Sequence, residues 1–317
     1  MRAVVVRRFG GPEVLEFAEV PVPDPGPGQV RVKVTAAGVN PVDAGTRSGF
    51  LTEAGIVPPR EVLGIGWDVA GTVDAVGDGV AGFAIGDSVI GLQDRPSAAL
   101  GTYAEFVVLD ADALAAAPRT ASPAEAATLP LNGLTAIQAL DLLDLPPGAT
   151  VLVTGAAGAV GGYAVTLAKA RGFRVVAVAG AADEALVRGF GAAVFVPRGD
   201  FLADRVRAVI PGGVDAVLDT ALLGLEALDA VANRGRFVVF AAGAAPIPLR
   251  GIKVEHVWIR ADGPALAGLA ALVDDGTLAL RVADTLPLTE AVKAHELLAA
   301  GGLRGRLVLT NDKLTLN

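Results

Sequence analysis

The chain has 317 residues, about twice the length of an average domain, which predicts two domains. Lys and Arg number 26 against 34 Asp and Glu, a formal net charge of −8, so gripping a nucleic acid through a general basic field is excluded. There is no Cys, which rules out disulfides, thiol nucleophiles and thiolate metal sites, and the two histidines, His256 and His295, stand too far apart for a local metal motif.

The first third reads as β-rich. Short apolar or alternating runs at 3–6, 30–35, 70–76, 88–92 and 104–109 are separated by turn-forming stretches such as Pro23-Asp24-Pro25-Gly26-Pro27-Gly28 and Gly77-Asp78-Gly79. No helix of ordinary length is expected before residue 122. There the period changes: Ser122-Pro123-Ala124-Glu125 offers an N-cap, a proline at the first helical position and an acid in the first turn. Strands are then predicted at 151–154, 174–179, 193–196, 214–219, 236–241 and 254–259, with helices near 160–171, 182–190, 200–210 and 221–232 between them. This βαβ alternation predicts an α/β fold with a parallel, doubly wound sheet. The tail adds helices near 264–275 and 289–300 and a strand at 306–310.

Mean hydropathy is +0.54, and residues 146–168 carry no charge, long enough to cross a bilayer. The stretch is nonetheless broken by Pro146-Pro147-Gly148, by Thr150 and Thr154, and by glycines at 155, 158, 161 and 162. Arg7 and Arg8 follow Val4-Val5-Val6 directly and leave no room for a signal-peptide core. A soluble, cytoplasmic protein with no membrane partner is expected.

The most informative segment runs from Val151 through Thr154-Gly155-Ala156-Ala157-Gly158-Ala159-Val160-Gly161-Gly162. It follows a strand, opens a helix and precedes a second strand, the context in which small residues let the backbone approach a pyrophosphate at a helix N-terminus. Ala157, Gly158, Ala159 and Val160 are the candidate cofactor-binding residues of this turn. At the end of the next strand, where an acid would bind the ribose 2′-hydroxyl of NAD, stands Gly180. Asp183 and Glu184 follow and read as first-turn helix acids. With no carboxylate at 180 a 2′-phosphate is tolerated, so NADPH is favoured, with Arg198 as candidate phosphate partner and Arg188 behind it.

Several blocks in order resemble the quinone oxidoreductase (zeta-crystallin-like) group of the medium-chain dehydrogenase/reductase superfamily over nearly the whole chain. They are Phe9-Gly10-Gly11-Pro12-Glu13-Val14-Leu15, Ala37-Gly38-Val39-Asn40-Pro41-Val42-Asp43 with Arg47-Ser48-Gly49, Trp67-Asp68-Val69-Ala70-Gly71, Gly101-Thr102-Tyr103-Ala104-Glu105, Leu131-Asn132-Gly133-Leu134-Thr135-Ala136, the glycine turn, and Ala294-His295-Glu296 with Gly305-Arg306. The resemblance implies a GroES-like catalytic domain (1–121 and 263–317) and a Rossmann NADP-binding domain (122–262). Zinc-dependent relatives carry a Cys where Asn40 stands and a His-Glu pair where Trp67-Asp68 stands, so a zinc-free member is implied.

By the same resemblance Asn40 and Thr135 are candidate catalytic groups at the acceptor oxygen. Asn40, Asp43, Arg47, Asn132, Thr135, Ala241, Ala242, Gly243, Trp258 and Ile259 are candidate cofactor contacts. Plainer readings stand beside these: Asn40 as a left-handed turn residue, Asp43 as a helix cap, Tyr103 as strand packing, His256 as a structural strand residue and His295 as one on an exposed helix. The implied activity is NADPH-dependent, zinc-free hydride transfer to a quinone or an α,β-unsaturated carbonyl, which need no Lewis acid because delocalisation stabilises the charge left by hydride addition. The alternative is an NADPH-binding protein with little catalysis. Strand 254–259 is too apolar for an open edge and predicts a homodimer by strand pairing; the alternative is a monomer whose edge is covered by loop 242–252.

Overall fold

The computed structural model describes residues 1–95, 97–241 and 243–311. The chain divides into two compact units, Met1–Leu131 with Arg260–Asn317, and Asn132–Ile259.

The first unit begins with β1 (Arg2–Val6), β2 (Glu16–Glu19) and the eleven-residue β3 (Gln29–Val39). Along β3, Val30, Val32 and Val34 are buried while Arg31 and Lys33 between them point outward, the period of two of a half-buried strand. Helix α1 (Pro41–Ser48) and the single turn α2 (Phe50–Glu53) follow, then β4 (Leu63–Gly64), β5 (Asp68–Val76), β6 (Ser88–Leu92), β7 (Phe106–Asp110) and β8 (Leu114–Ala116). After the turn α3 (Pro123–Ala126), helix α4 (Pro130–Asp141) carries the chain into the second unit.

There β9 (Thr150–Thr154), α5 (Ala159–Ala170), β10 (Arg174–Ala179), α6 (Glu184–Gly189), β11 (Val194–Pro197), α7 (Leu202–Val209), β12 (Val214–Asp219), α8 (Leu225–Leu228), β13 (Val231–Val239) and β14 (Lys253–His256) succeed one another. The six strands form one parallel sheet in the order β11-β10-β9-β12-β13-β14. This is the doubly wound Rossmann order, with its topological switch beside the first strand, β9. Val151, Leu152, Val153 and Thr154 are all buried, the continuous run expected of a strand covered on both faces.

The tail returns to the first unit as α9 (Gly263–Asp274), β15 (Val282–Pro287), α10 (Ala291–Ala300) and β16 (Arg306–Thr310). β16 pairs antiparallel with β3, in a sheet ordered β15-β16-β3-β5-β6-β8 with β7 also on β3. Among the described residues no helix is long and apolar enough to cross a membrane.

The α/β class, the β-rich first unit and the parallel sheet agree with the sequence. Several local expectations do not. A helix does precede residue 122: α1 has eight residues, too few and too polar (Asp43, Thr46, Arg47, Ser48) to show an apolar stripe, and is set by proline at its first position and a capping box between Asn40 and Asp43. The helix expected near 221–232 shrinks to Leu225–Leu228, because Leu222 (φ 58°) and Gly224 (φ 61°) turn the chain and β13 already starts at Val231. Strand 254–259 ends at His256, although the Val257 N–H still donates to Val239 O at 3.1 Å. Strands β2, β4, β8 and β15 were not anticipated.

Candidate active site

The glycine turn connects β9 to α5 as expected. Gly155 takes φ +59°, and a Cβ on Gly161 would lie 2.2 Å from the Gly155 carbonyl oxygen, so the first helical turn packs against the loop with no room for a side chain. Gly158, which has no side chain of its own to cap the helix, is the N-cap of α5. Backbone N–H groups and the positive end of a twelve-residue helix thus face the loop, the donor set that suits a pyrophosphate. Ala157 is buried, and Ala159 and Val160 begin the helix.

The other candidates of this unit collect at the same, carboxyl edge of the sheet. Gly180 follows β10, Arg198 follows β11, Ala241 and Gly243 follow β13 in a turn closed by Ala244 N–H on Ala241 O at 3.2 Å, and Trp258 and Ile259 follow β14. Ala242 lies outside the described residues. Ligands of doubly wound sheets sit at this edge. Trp258 is 64% exposed with the His256 ring edge-on to it at 4.1 Å; His256 is half-buried, and burial lowers its basicity. Asn132 and Thr135 lie three apart on one face of α4, both buried.

At the β10 end Asp183 and Glu184 stand in the first turns of short helices, as expected. Residues 181–183 form a 3₁₀ turn, and the buried Asp183 folds back so that a Cβ on Gly180 would lie 3.0 Å from its Oδ2. A carboxylate does stand beside Gly180, supplied from three residues further on. Arg188 is held by Glu184 at 2.8 Å, whereas Arg198 is exposed on a loop pinned by Arg205, which donates to Pro197 O and Gly199 O at 2.7 and 2.6 Å.

Sequence reasoning missed the buried pair beneath this edge. Thr154 Oγ1, at the end of β9, donates to Asp219 Oδ1, at the end of β12, at 2.7 Å. Asp219 also accepts from the Leu223 and Gly224 N–H groups at 3.1 and 2.8 Å, which ties loop 220–224 to the sheet. An Asp closing an apolar strand was the available signal.

In the first unit Asn40, Asp43 and Arg47 sit at the β3–α1 junction. Asn40 is extended (φ −122°), not left-handed. Its N–H donates to Asp43 Oδ2 at 2.7 Å, and its Nδ2 donates to Asp68 Oδ2 at 2.7 Å; Asp68 Oδ1 accepts the Leu131 N–H at 2.6 Å. Tyr103 precedes β7 rather than lying in it, is fully buried, and donates from its hydroxyl to Asp43 Oδ2 at 3.0 Å. Burial pushes the Asp43 carboxyl up to about 8, with Asp68 adding to the rise, and pushes Asp68 up to about 6. Burial, then Asp43, holds the Tyr103 hydroxyl protonated far above its usual range.

His295 is not exposed. It lies on the buried face of α10 with Ala291 and Ala294, edge-on to Tyr103, and its Nδ1 accepts from Arg47 Nη1 at 3.1 Å. Burial and then the Arg47 charge hold its imidazole down to about 4, so it is neutral at ordinary pH. Arg47 also donates to Gly10 O at 3.2 Å, joining α1, α10 and the 9–15 segment.

Residues 26–119 match the family described as Alcohol dehydrogenase GroES-like domain, and residues 189–309 the family described as Zinc-binding dehydrogenase. The quinone oxidoreductase of Mus musculus is 32% identical over 332 residues, covering 98% of this chain and 97% of the mouse protein. A solved NAD-dependent alcohol dehydrogenase shares 35% identity with a TM-score of 0.88, covering 98% of this chain and 99% of that one. A mycobacterial protein solved with NADPH shares 31% identity with a TM-score of 0.83, covering 98% of this chain and all of that one. The chain therefore belongs to the quinone oxidoreductase group of the medium-chain dehydrogenase/reductase superfamily, and it is an oxidoreductase by that membership.

Proposed function

We propose that the protein is an NADPH-dependent, zinc-free reductase of quinones or α,β-unsaturated carbonyls. The observation that carries this reading is the glycine turn into α5, gathered with Gly180, Arg198, Ala241 and Trp258 at the carboxyl edge of one parallel sheet. When bound, a reduced nicotinamide nucleotide supplies the hydride; acceptor, NADPH and a proton become reduced acceptor and NADP⁺. The N-terminus of α5 holds the pyrophosphate, Arg198 faces the 2′-phosphate, and the turn after β13 with Trp258 borders the nucleotide. The mycobacterial neighbour solved with NADPH supports the cofactor.

Asn40 and Thr135 are the groups proposed at the acceptor oxygen, with Asp43, Arg47 and Asn132 beside the nicotinamide. Asp68 fixes the Asn40 amide through its 2.7 Å contact, so the orientation of Asn40 is preset. The zinc-free reading rests on a chain with no Cys and on an Asp68 carboxylate already shared between the Asn40 amide and the Leu131 N–H. Without a Lewis acid the acceptor must be electrophilic beforehand, which selects quinones and enones over simple ketones. A homodimer through the β14 edge and a cytoplasmic location complete the proposal.

Steady-state oxidation of NADPH by a simple benzoquinone or by a small enone, with a chelator present, tests it. Turnover that the chelator leaves intact supports the reading. Tight nucleotide binding with no turnover of either acceptor class would leave a nucleotide-binding protein instead.

A further inference from the structure

The proposed reading assigns the 2′-phosphate to a site opened by Gly180 and leaves Asp183 without a part. Three observations give it one. The 3₁₀ turn 181–183 returns the chain toward the strand end, with the Asp183 N–H donating to Gly180 O at 2.9 Å. The turn holds the carboxylate so that Oδ2 is 3.0 Å and Cγ 3.9 Å from where a Cβ on Gly180 would be. One oxygen of the Asp183 carboxylate thus stands within van der Waals reach of the position a side chain at 180 would start from. The neighbouring acid, Glu184, pairs with Arg188 at 2.8 Å, whereas Asp183 is the acid whose carboxylate lies beside Gly180.

We propose that Asp183 is the residue that sets nucleotide choice, standing in from three positions downstream for the ribose acid that Gly180 lacks. The inference rests on the reductase reading and deepens it by naming what opposes the 2′-phosphate. A carboxylate here accepts a hydrogen bond from a ribose 2′-hydroxyl and repels a 2′-phosphate at short range. The candidate cation comes from the end of the next strand: the Arg198 N–H donates to Ala179 O at 2.6 Å, which places the backbone of Arg198 against the last residue of β10. Nucleotide preference is then a balance between Arg198, which draws the phosphate in, and Asp183, which resists it. Asp183 is buried, so its side chain has less freedom to swing away than that of an exposed acid.

Dissociation constants for NADPH, NADH, 2′,5′-ADP and 5′-AMP, measured by fluorescence or calorimetry on the full chain, test this without turnover. Asp183→Asn keeps the shape of the side chain and removes its charge. The ratio of NADPH to NADH affinity should rise about tenfold or more, and that of 2′,5′-ADP to 5′-AMP should rise with it. Arg198→Ala should lower both ratios. Should Asp183→Asn fail to fold, Asp183→Ser supplies the same comparison. Ratios within about twofold of the starting protein, with both nucleotides still binding, overturn the role of Asp183 alone. A starting protein that binds neither nucleotide overturns the reductase reading and this inference with it.

Discussion

The Tyr103 hydroxyl donates to Asp43 Oδ2 at 3.0 Å inside the first unit, and both residues are fully buried. The bond joins the segment before β7 to the first turn of α1. The same Asp43 oxygen also accepts the Asn40 N–H, so one carboxylate fixes both the start of the helix and the residue proposed at the acceptor oxygen. A buried acid serving two donors is valuable only while the cluster is intact. Tyr103→Phe should therefore cost about 1–3 kcal/mol in denaturant unfolding, since the buried Asp43 carboxyl group loses a partner it cannot replace with water. An unchanged midpoint would show that the bond is not a determinant of stability.

Asp43 also gives the stability a sign with pH. Its carboxyl titrates near 8 in the folded chain against 3.8 ordinarily. Between those values the folded state holds the extra proton, so stability falls as pH rises and levels off above about 8. Asp68 acts in the same direction but only up to about 6. His295 and His256, both lowered from 6.5, act oppositely as pH falls below that value and are silent above it. The clean window is pH 6.5 to about 8, where unfolding free energy should fall by up to ~1.4 kcal/mol per pH unit and Asp43→Asn should flatten the slope. A slope that persists in Asp43→Asn assigns it to another group.

Gly161→Ala should abolish nucleotide binding. Its methyl group would sit 2.2 Å from the Gly155 carbonyl oxygen, so the loop or the helix must move, at a cost of about 1–3 kcal/mol. Nucleotide affinity and thermal midpoint, measured together, check this; wild-type values for both would mean the turn is looser than its packing indicates.

Thr154→Val keeps the shape of the side chain and removes the hydroxyl that donates to Asp219 and accepts the Ala221 N–H at 3.0 Å. The expected cost is about 1–3 kcal/mol, with loop 220–224 gaining faster hydrogen exchange. Uniform exchange across the sheet, with no local change, would contradict the tie.

How much of this was legible in the sequence follows from the range of the forces involved. β10, β12 and β16 stand where apolar runs and turn residues put them, because a strand buried on both faces writes itself as a continuous hydrophobic run. The glycine turn was equally legible, since strand, loop and helix are contiguous. What could not be read were contacts set by tertiary placement. His295 is buried by Tyr103 and Arg47, which lie far from it in sequence. Asp183 is beside Gly180 only because a 3₁₀ turn replaces the first turn of the expected helix. Asn40 is held by an acid 28 residues away.

The dimer proposal turns on which backbone groups of β14 face outward. Val257 N–H bonds to β13, so in a parallel ladder the N–H groups of Val254 and His256 point to the open edge. Light scattering at micromolar concentration should give twice the 31.8 kDa of one chain. Val254→Pro, which removes an outward N–H and leaves the β13 ladder in place, should yield monomers. A dimer that survives this change places the interface elsewhere.

The protein is proposed to transfer hydride from a nicotinamide nucleotide to an electrophilic acceptor without zinc. Anaerobic mixing of the chelator-treated protein and NADPH with benzoquinone or a small enone tests it most directly, with the nucleotide deuterated or not at the transferring C4 position. One reduced acceptor should form per NADPH oxidised, and deuterium should slow the oxidation. NADPH that binds but is oxidised by neither acceptor, or no faster than without protein, would contradict it.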